Sequence, residues 1–322
     1  MKSFKNTLIQ KLTVTTLIAI STTAILTPHT ASAHGFEGDR FFPPTIQTDD
    51  PFATDELSFP TISLFNNPAT GDGTPRTREL DFGVEFDKEI FPKFALGIST
   101  TYVILKPKGS VASDGFQNLT LSAKYELLEI PGHEFIFSIG GEWEIGNTGS
   151  QTLGVNTFST FTPKIYFGKG FGDLPDGAKF LKPFAVTGTL GLDLPVKDAD
   201  SNALDWGVAV EYSIPYLQQH VKDIGIPAPF SNMIPLVEFA VTNPLNRAGG
   251  QATGTVNPGV LWESKDFQVG LEAVIPVNKA TGPNVGLVFN VQIFIDDLMP
   301  KIFGHPLFGG NQNSAPAPDS AK

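Results

Sequence analysis

The chain contains no cysteine in 322 residues. No disulfide framework can staple it and no lipid-modified N-terminal cysteine can anchor it, so the fold must hold by pairing and burial alone. Basic residues are also scarce, 22 Lys and Arg against 33 Asp and Glu, for a net charge of −11. Nucleic acid is disfavoured as a partner, because phosphate binding needs clustered cations. Beyond the first residues no apolar run reaches the roughly eighteen residues that a membrane helix requires. The motifs G-x-S-x-G and H-E-x-x-H, the P-loop and the dinucleotide fingerprint are all missing, which removes the commonest sequence arguments for an enzyme.

What the chain does have begins with an export signal over residues 1–33. Lys2, Lys5 and Lys11 form a positive region, Leu12 to Leu26 an apolar core, and Ala31-Ser32-Ala33 a small-x-small cleavage site. Cleavage between Ala33 and His34 is expected. It removes three Lys and no acid, leaving 19 basic residues against 33 acidic ones.

The dominant pattern downstream is a period of two. Val285, Leu287, Phe289, Val291, Ile293 and Ile295 fall on one face, opposed by Gly286, Asn290, Gln292 and Asp296. Leu204, Trp206, Val208, Val210, Tyr212 and Ile214 form a second series, opposed by Asp205, Gly207, Ala209, Glu211 and Ser213. Such alternation means strands with one apolar and one polar face. Strands are expected at about 55–65, 78–88, 94–105, 117–129, 134–145, 157–168, 182–194, 204–214, 235–243, 254–263, 266–277 and 284–296.

About twelve such segments behind an export signal predict an all-β transmembrane antiparallel up-and-down barrel in the bacterial outer membrane, with the lipid bilayer as its partner. Connections of two kinds alternate along the chain, tight at Glu89 to Lys93, Ile130 to His133 and Ser264 to Lys265, longer at the other end. That parity places both termini on the periplasmic side. Two periplasmic connections break the short-turn pattern, 170–181 and 215–232, the second beginning as a short helix that would lie against the rim or cover the mouth. The chain thus divides into a signal peptide (1–33), an irregular segment (34–54), the barrel (55–298) and a C-terminal extension (299–322).

In a barrel the inward faces are the functional surface. Strand parity points Glu85, Lys124, Glu126, Glu142, Glu144, Lys164, Asp205, Glu211, Glu238 and Glu272 into the lumen, together with Glu79, Asp81, Asp87, Asp193 and Glu263. Two readings stay open. An acidic lumen favours cations and zwitterions in transit; alternatively, carboxylates satisfied by neighbours merely fill a narrow barrel. Tyr102, Trp143, Trp206, Tyr212 and Trp262 take the outward parity and read as interfacial girdle residues.

Smaller signals weigh less. His34, once N-terminal, offers an amine and an imidazole, yet His133, His220 and His305 show no ligand spacing, so no metal or cofactor is expected. Asp198, Asp200 and Asn202 resemble the start of a calcium loop, but Ala203 stands where glycine is needed. Asn118-Leu119-Thr120 matches a glycosylation sequon inside an expected strand. A lipid-acting enzyme would need a Ser–His pair at the lipid boundary, and no His has that placement.

The segment 34–54 carries Phe, Pro and charge without strand rhythm, and it enters at the periplasmic mouth. A chain of that length can reach through a membrane barrel at roughly 3.3–3.6 Å per residue. It is expected to fold inward as a gate, Phe41 and Phe42 inserting among lumen side chains and Arg40 pairing with Glu85, Glu126, Glu142 or Glu211.

Several stretches carry a family resemblance: Asp55-Glu56-Leu57-Ser58, Gly115 to Leu119, Tyr166 to Pro175, Asn257-Pro258-Gly259, Phe267 to Gly270 and Ile302 to Phe308. They resemble a proteobacterial group of outer-membrane β-barrels similar to those named for the meta-pathway of phenol degradation. The resemblance implies passive transport of small molecules, hydrophobic or aromatic compounds among them. It brings no catalytic or ligand residues with it. A plugged envelope barrel without transport is the alternative, and an outer-membrane lipid-acting enzyme a third.

Overall fold

The computed structural model describes residues 35–309 apart from 70–72, 74, 198–199 and 247–248. The signal segment with its Ala33–His34 junction, Asp198 and the tail from residue 310 lie outside the described residues. A small hairpin, β1 (Phe36–Glu37) with β2 (Arg40–Phe41), precedes the barrel.

The wall consists of β3 (Glu56–Asn67), β4 (Thr77–Phe91), β5 (Phe94–Pro107), β7 (Leu119–Ile130), β8 (Phe135–Ile145), β9 (Thr160–Gly170), β10 (Phe184–Pro195), β11 (Ala203–Tyr212), β12 (Met233–Pro244), β13 (Thr253–Glu263), β14 (Phe267–Pro276) and β15 (Gly286–Phe294). Each pairs antiparallel with its neighbour, and β15 pairs with β3. The sheet therefore closes into a barrel of twelve strands and leaves no edge for another chain to extend.

Burial runs opposite to that of a soluble sandwich. Outward Leu287 is 47% exposed whereas inward Glu238 is 0% exposed. Leu96, Ile98, Phe161, Ile165, Leu190 and Leu271 also stand exposed on the outside, while Thr187, Gln268 and Asn257 are buried within. Only a lipid surround makes that arrangement favourable, since unpaired backbone groups are absent from a closed barrel and the apolar band meets hydrocarbon. Among the described residues no helix is long and apolar enough to cross a membrane; the strands do the crossing.

Two features depart from the sequence expectation. Residues 117 and 118 leave the strand expected at 117–129, and a short extra strand, β6 (Ser113–Phe116), pairs with the loop end of β5. Asn118 explains the break: its amide donates to Glu144 Oε1 (2.7 Å) and the Asn156 carbonyl (2.9 Å), and its oxygen accepts from Thr148 and Gly149 N–H. A side chain spent on pinning the 146–156 loop cannot sit on the dyad, and it is buried, so the sequon is not presented to solvent. The second departure is at the other end. Leu307 and Phe308 donate backbone N–H to Glu89 and Ile90 (3.1 and 2.8 Å), filling positions beside β4 beyond the start of β3.

Candidate pore and the segment inside it

The segment enters at the mouth with residues 35–40 and runs on inside the barrel. Phe42 and Thr48 are 0% exposed although they belong to no barrel strand. Because the segment is irregular, its amides need partners from the wall. Glu238 supplies most of them: its carboxylate accepts from the successive N–H groups of Ile46 (2.8 Å), Gln47 (2.7 Å) and Thr48 (2.9 Å). Three successive N–H groups on one anion form a cradle comparable to an anion nest. Gln268 Nε2 donates to the Pro44 carbonyl (2.7 Å), Ser138 Oγ to the Pro51 carbonyl (2.5 Å), and Ala53 N–H to Glu126 (2.7 Å).

Apolar contacts seat the same segment. Phe41 packs with inward Ile234, Leu236, Leu261 and Phe294, while Phe42 and Phe52 pack with Ile136 and Ala185. Inward glycines make room for it. A Cβ on Gly270 would come within 2.7 Å of Ile46, and one on Gly207 within 2.7 Å of Thr48.

Arg40 is fully buried and holds the entry. Its Nε donates to Glu134 (3.3 Å), and its terminal nitrogens donate to the Pro183 (3.1 Å) and Lys182 carbonyls. Its guanidinium lies 3.7 Å from the Tyr216 ring centre, and Tyr216 in turn donates to Glu134 (2.8 Å). This corrects the expected pairing with Glu85, Glu126, Glu142 or Glu211. Arg40 is still at the mouth, level with the β7–β8 turn, and has not entered the strand-lined depth. Tyr216 comes from the short helix Ile214–Tyr216 in the 213–232 connection, which therefore clamps the segment.

The other expected lumen residues divide by partner. Lys124 donates to Asp49 (3.0 Å) and the Asp50 carbonyl (2.8 Å) and lies 5.0 Å from the Tyr166 ring centre. Lys164 pairs with Glu142, and Glu144 holds Asn118. Glu211 and Glu272 are buried in the wall, and Asp205 is half-buried on β11. Glu85 instead faces open space.

That space is a cavity of about 250 Å³ between the segment and the β3–β7 side of the wall. Carboxylates of Asp49, Asp50, Glu56, Glu85 and Asp87 surround it with one ammonium, Lys124, and hydroxyls of Ser58, Thr61, Ser99 and Ser122 line the remainder. A second cavity, about 290 Å³, opens at the terminal end and is bordered by Glu37, Glu89, Glu126 and Glu129. Phe52 and Thr54 border both.

Sequence reasoning found the inward carboxylates by parity but missed Glu134, Tyr216 and the apolar inner patch. The patch had a readable sign, since Met233 to Val237 and Phe135 to Phe137 lose their alternation and are apolar on both faces. Glu134 had none: it has φ of 45° in a tight turn and resembles the first residue of a strand.

No protein-family model and no curated protein matches this sequence. Solved structures do share the fold. An outer membrane channel from Pseudomonas putida F1 superposes with a TM-score of 0.51 at 12% identity, covering 78% of this chain and 99% of that one. The NanC porin (TM-score 0.44, 7% identity, 74% and 98% covered) and the KdgM porin (0.41, 10%, 74% and 98%) are more distant. Closed architecture and inverted burial, with the fold shared with the Pseudomonas putida channel, make the protein an outer-membrane β-barrel.

Proposed function

We propose that the protein is a passive outer-membrane channel for small solutes, in which residues 35–55 form a fixed constriction and leave a polar, acidic passage beside them. The supporting observation is the cavity along β3, β4, β5 and β7. A segment evolved to seal the lumen would pack against the whole circumference, and this one leaves hydroxyls and carboxylates facing open space. Five carboxylates against one ammonium favour cations and zwitterions over anions. The lining suits polar solutes better than the aromatic compounds suggested by family resemblance.

The test is single-channel recording in planar bilayers with the mature barrel and with a variant lacking Gly35 to Thr54 but keeping the export signal. The parent should conduct with cation selectivity, and the deletion should conduct more. A silent parent together with a folded deletion no more conductive would replace the channel by a structural envelope barrel. The dry seating of the segment on Glu238 and the Phe41 and Phe42 pockets favours that second reading.

A further inference from the structure

The outside of the barrel carries a feature that the pore does not use. At the open end of the β4–β5 hairpin, away from its connecting turn, Arg76, Arg78, Lys106 and Lys108 surround a surface cavity of about 280 Å³, with Asn66 and Asn284 on its remaining sides. The chain holds only four arginines, and two are here. Register brings the cations together: Arg78 is opposite Lys106, and Lys108 N–H donates to the Arg76 carbonyl (2.9 Å).

Among the described residues, the nearby acids are engaged elsewhere. Glu79 points inward and accepts from Asn67, and Asp114 accepts from the Tyr102 hydroxyl. Among the described residues no ion pair involves any of these four cations.

Their height on the wall is informative. Along outward β4, Arg78 is followed by Leu80, Phe82, Val84 and Phe86, an apolar column of roughly 20 Å at about 3.3 Å per residue. Leu80 is paired with Leu64 on one side and Ile104 on the other. The four cations thus sit one outward step above the lipid-facing band, where charge costs little, instead of within it. The described ends of the chain, residues 35 and 309, are at the opposite end, which up-and-down parity makes periplasmic, so this rim faces the external leaflet.

We propose that this pocket binds the phosphates of a phosphorylated glycolipid of the outer leaflet, with the lipid's acyl chains lying against Leu64, Leu80, Phe82 and Ile104. A free anion would use the cations alone. An amphiphile uses both the cationic pocket and the apolar column directly beneath it. Arginine forks match phosphate oxygens bidentately, and the amides of Asn66 and Asn284 add neutral donors.

The experiment is native mass spectrometry of the purified full-length mature barrel with added diphosphoryl lipid A, compared with the same lipid dephosphorylated. The variant R76Q/R78Q/K106Q/K108Q is measured beside a control at the other end, K179Q/K222Q. One diphosphoryl lipid should be retained per parent barrel. Its apparent affinity should fall at least tenfold in the quadruple variant and stay unchanged in the control. Heat-modifiable migration and unchanged conductance confirm that the quadruple variant is folded, since all four side chains lie outside the lumen. Equal retention by parent and quadruple variant would overturn the proposal, as would equal retention of the dephosphorylated lipid. Displacement by millimolar inorganic phosphate would make the pocket a soluble-anion site and overturn it too.

Discussion

The segment inside the barrel meets two unlike walls. Toward β8–β14 it is seated dry: Phe41, Phe42 and Phe52 fill apolar pockets, and Glu238, Gln268 and Ser138 take up its backbone groups. Toward β3–β7 it is held by Lys124 and Glu126 and otherwise faces a cavity lined by carboxylates and hydroxyls. The same segment therefore has a packed side and an open side. Affinity for the wall resides where polar groups are desolvated and paired, and the proposed passage runs where they face the cavity.

The largest expected effect comes from the dry side. Glu238→Ala leaves the buried Thr48 N–H without an acceptor, at about 1–3 kcal/mol, and strips the half-buried Ile46 and Gln47 N–H groups of theirs at a smaller cost. Protease protection of the segment should collapse, and current noise should rise. An unchanged protection pattern would mean that the segment is not held by this carboxylate.

Next is the hinge of the entry hairpin. Gly38 has φ of 63°, and a Cβ there would lie 2.4 Å from the Pro131 carbonyl oxygen. Gly38→Ala carries about 1–2 kcal/mol of left-handed backbone cost before that clash is counted. It should loosen the hairpin measurably in hydrogen exchange, and a silent substitution would show that the turn can relax.

On the wet side the effect should be electrostatic only. E85Q and D87N each remove a carboxyl whose ionised form acts on a passing ion at about 0.5 kcal/mol through water at 8 Å. Cation selectivity, read as reversal potential in a salt gradient, should fall about twofold per substitution with the segment's protection intact. Loss of protection would erase the distinction between the two walls.

The smallest effect is one of pH. Burial, then the charge of Glu129, pushes the Glu37 carboxyl from the ordinary 4.5 to about 7, with Lys93 opposing. An acid whose pKa is raised on docking favours the docked state fully below pH 4.5, and that contribution is lost as pH rises through about 7. Exchange of the Phe42 amide, which donates to the Gly35 carbonyl (3.0 Å), should therefore accelerate across that window beyond its intrinsic base catalysis. Glu37→Gln should remove the excess.

The legibility of these regions in the sequence follows from their physics. Lipid outside and water inside impose a period of two on every strand, so the twelve wall strands could be read to within a few residues. Asn118 escaped because one side chain makes three hydrogen bonds with a loop and a fourth with Glu144 of β8, displacing the dyad locally. The inward course of the segment and the insertion of Phe41 and Phe42 were legible, but the wall groups that hold it were not, because it docks through backbone N–H groups, which every residue carries and no pattern marks. Arg40 was legible as a buried cation, but its partner was not. Glu134 is brought to it by a four-residue turn whose geometry has no periodic signature.

The seam where β15 meets β3 has its own consequence. Asp55, just before the first wall strand, accepts from Glu89 N–H (2.6 Å) and Lys88 (2.5 Å), while its carbonyl accepts from Ile295, just after the last. Leu307 and Phe308 then complete the flank of β4. The contacts joining the ring are thus among those of greatest sequence separation in the chain, which makes them the slowest to form by loop-closure entropy. Assembly resembles fastening a clasp: neighbouring hairpins can zip in any order, but the circle locks only when the last strand finds the first.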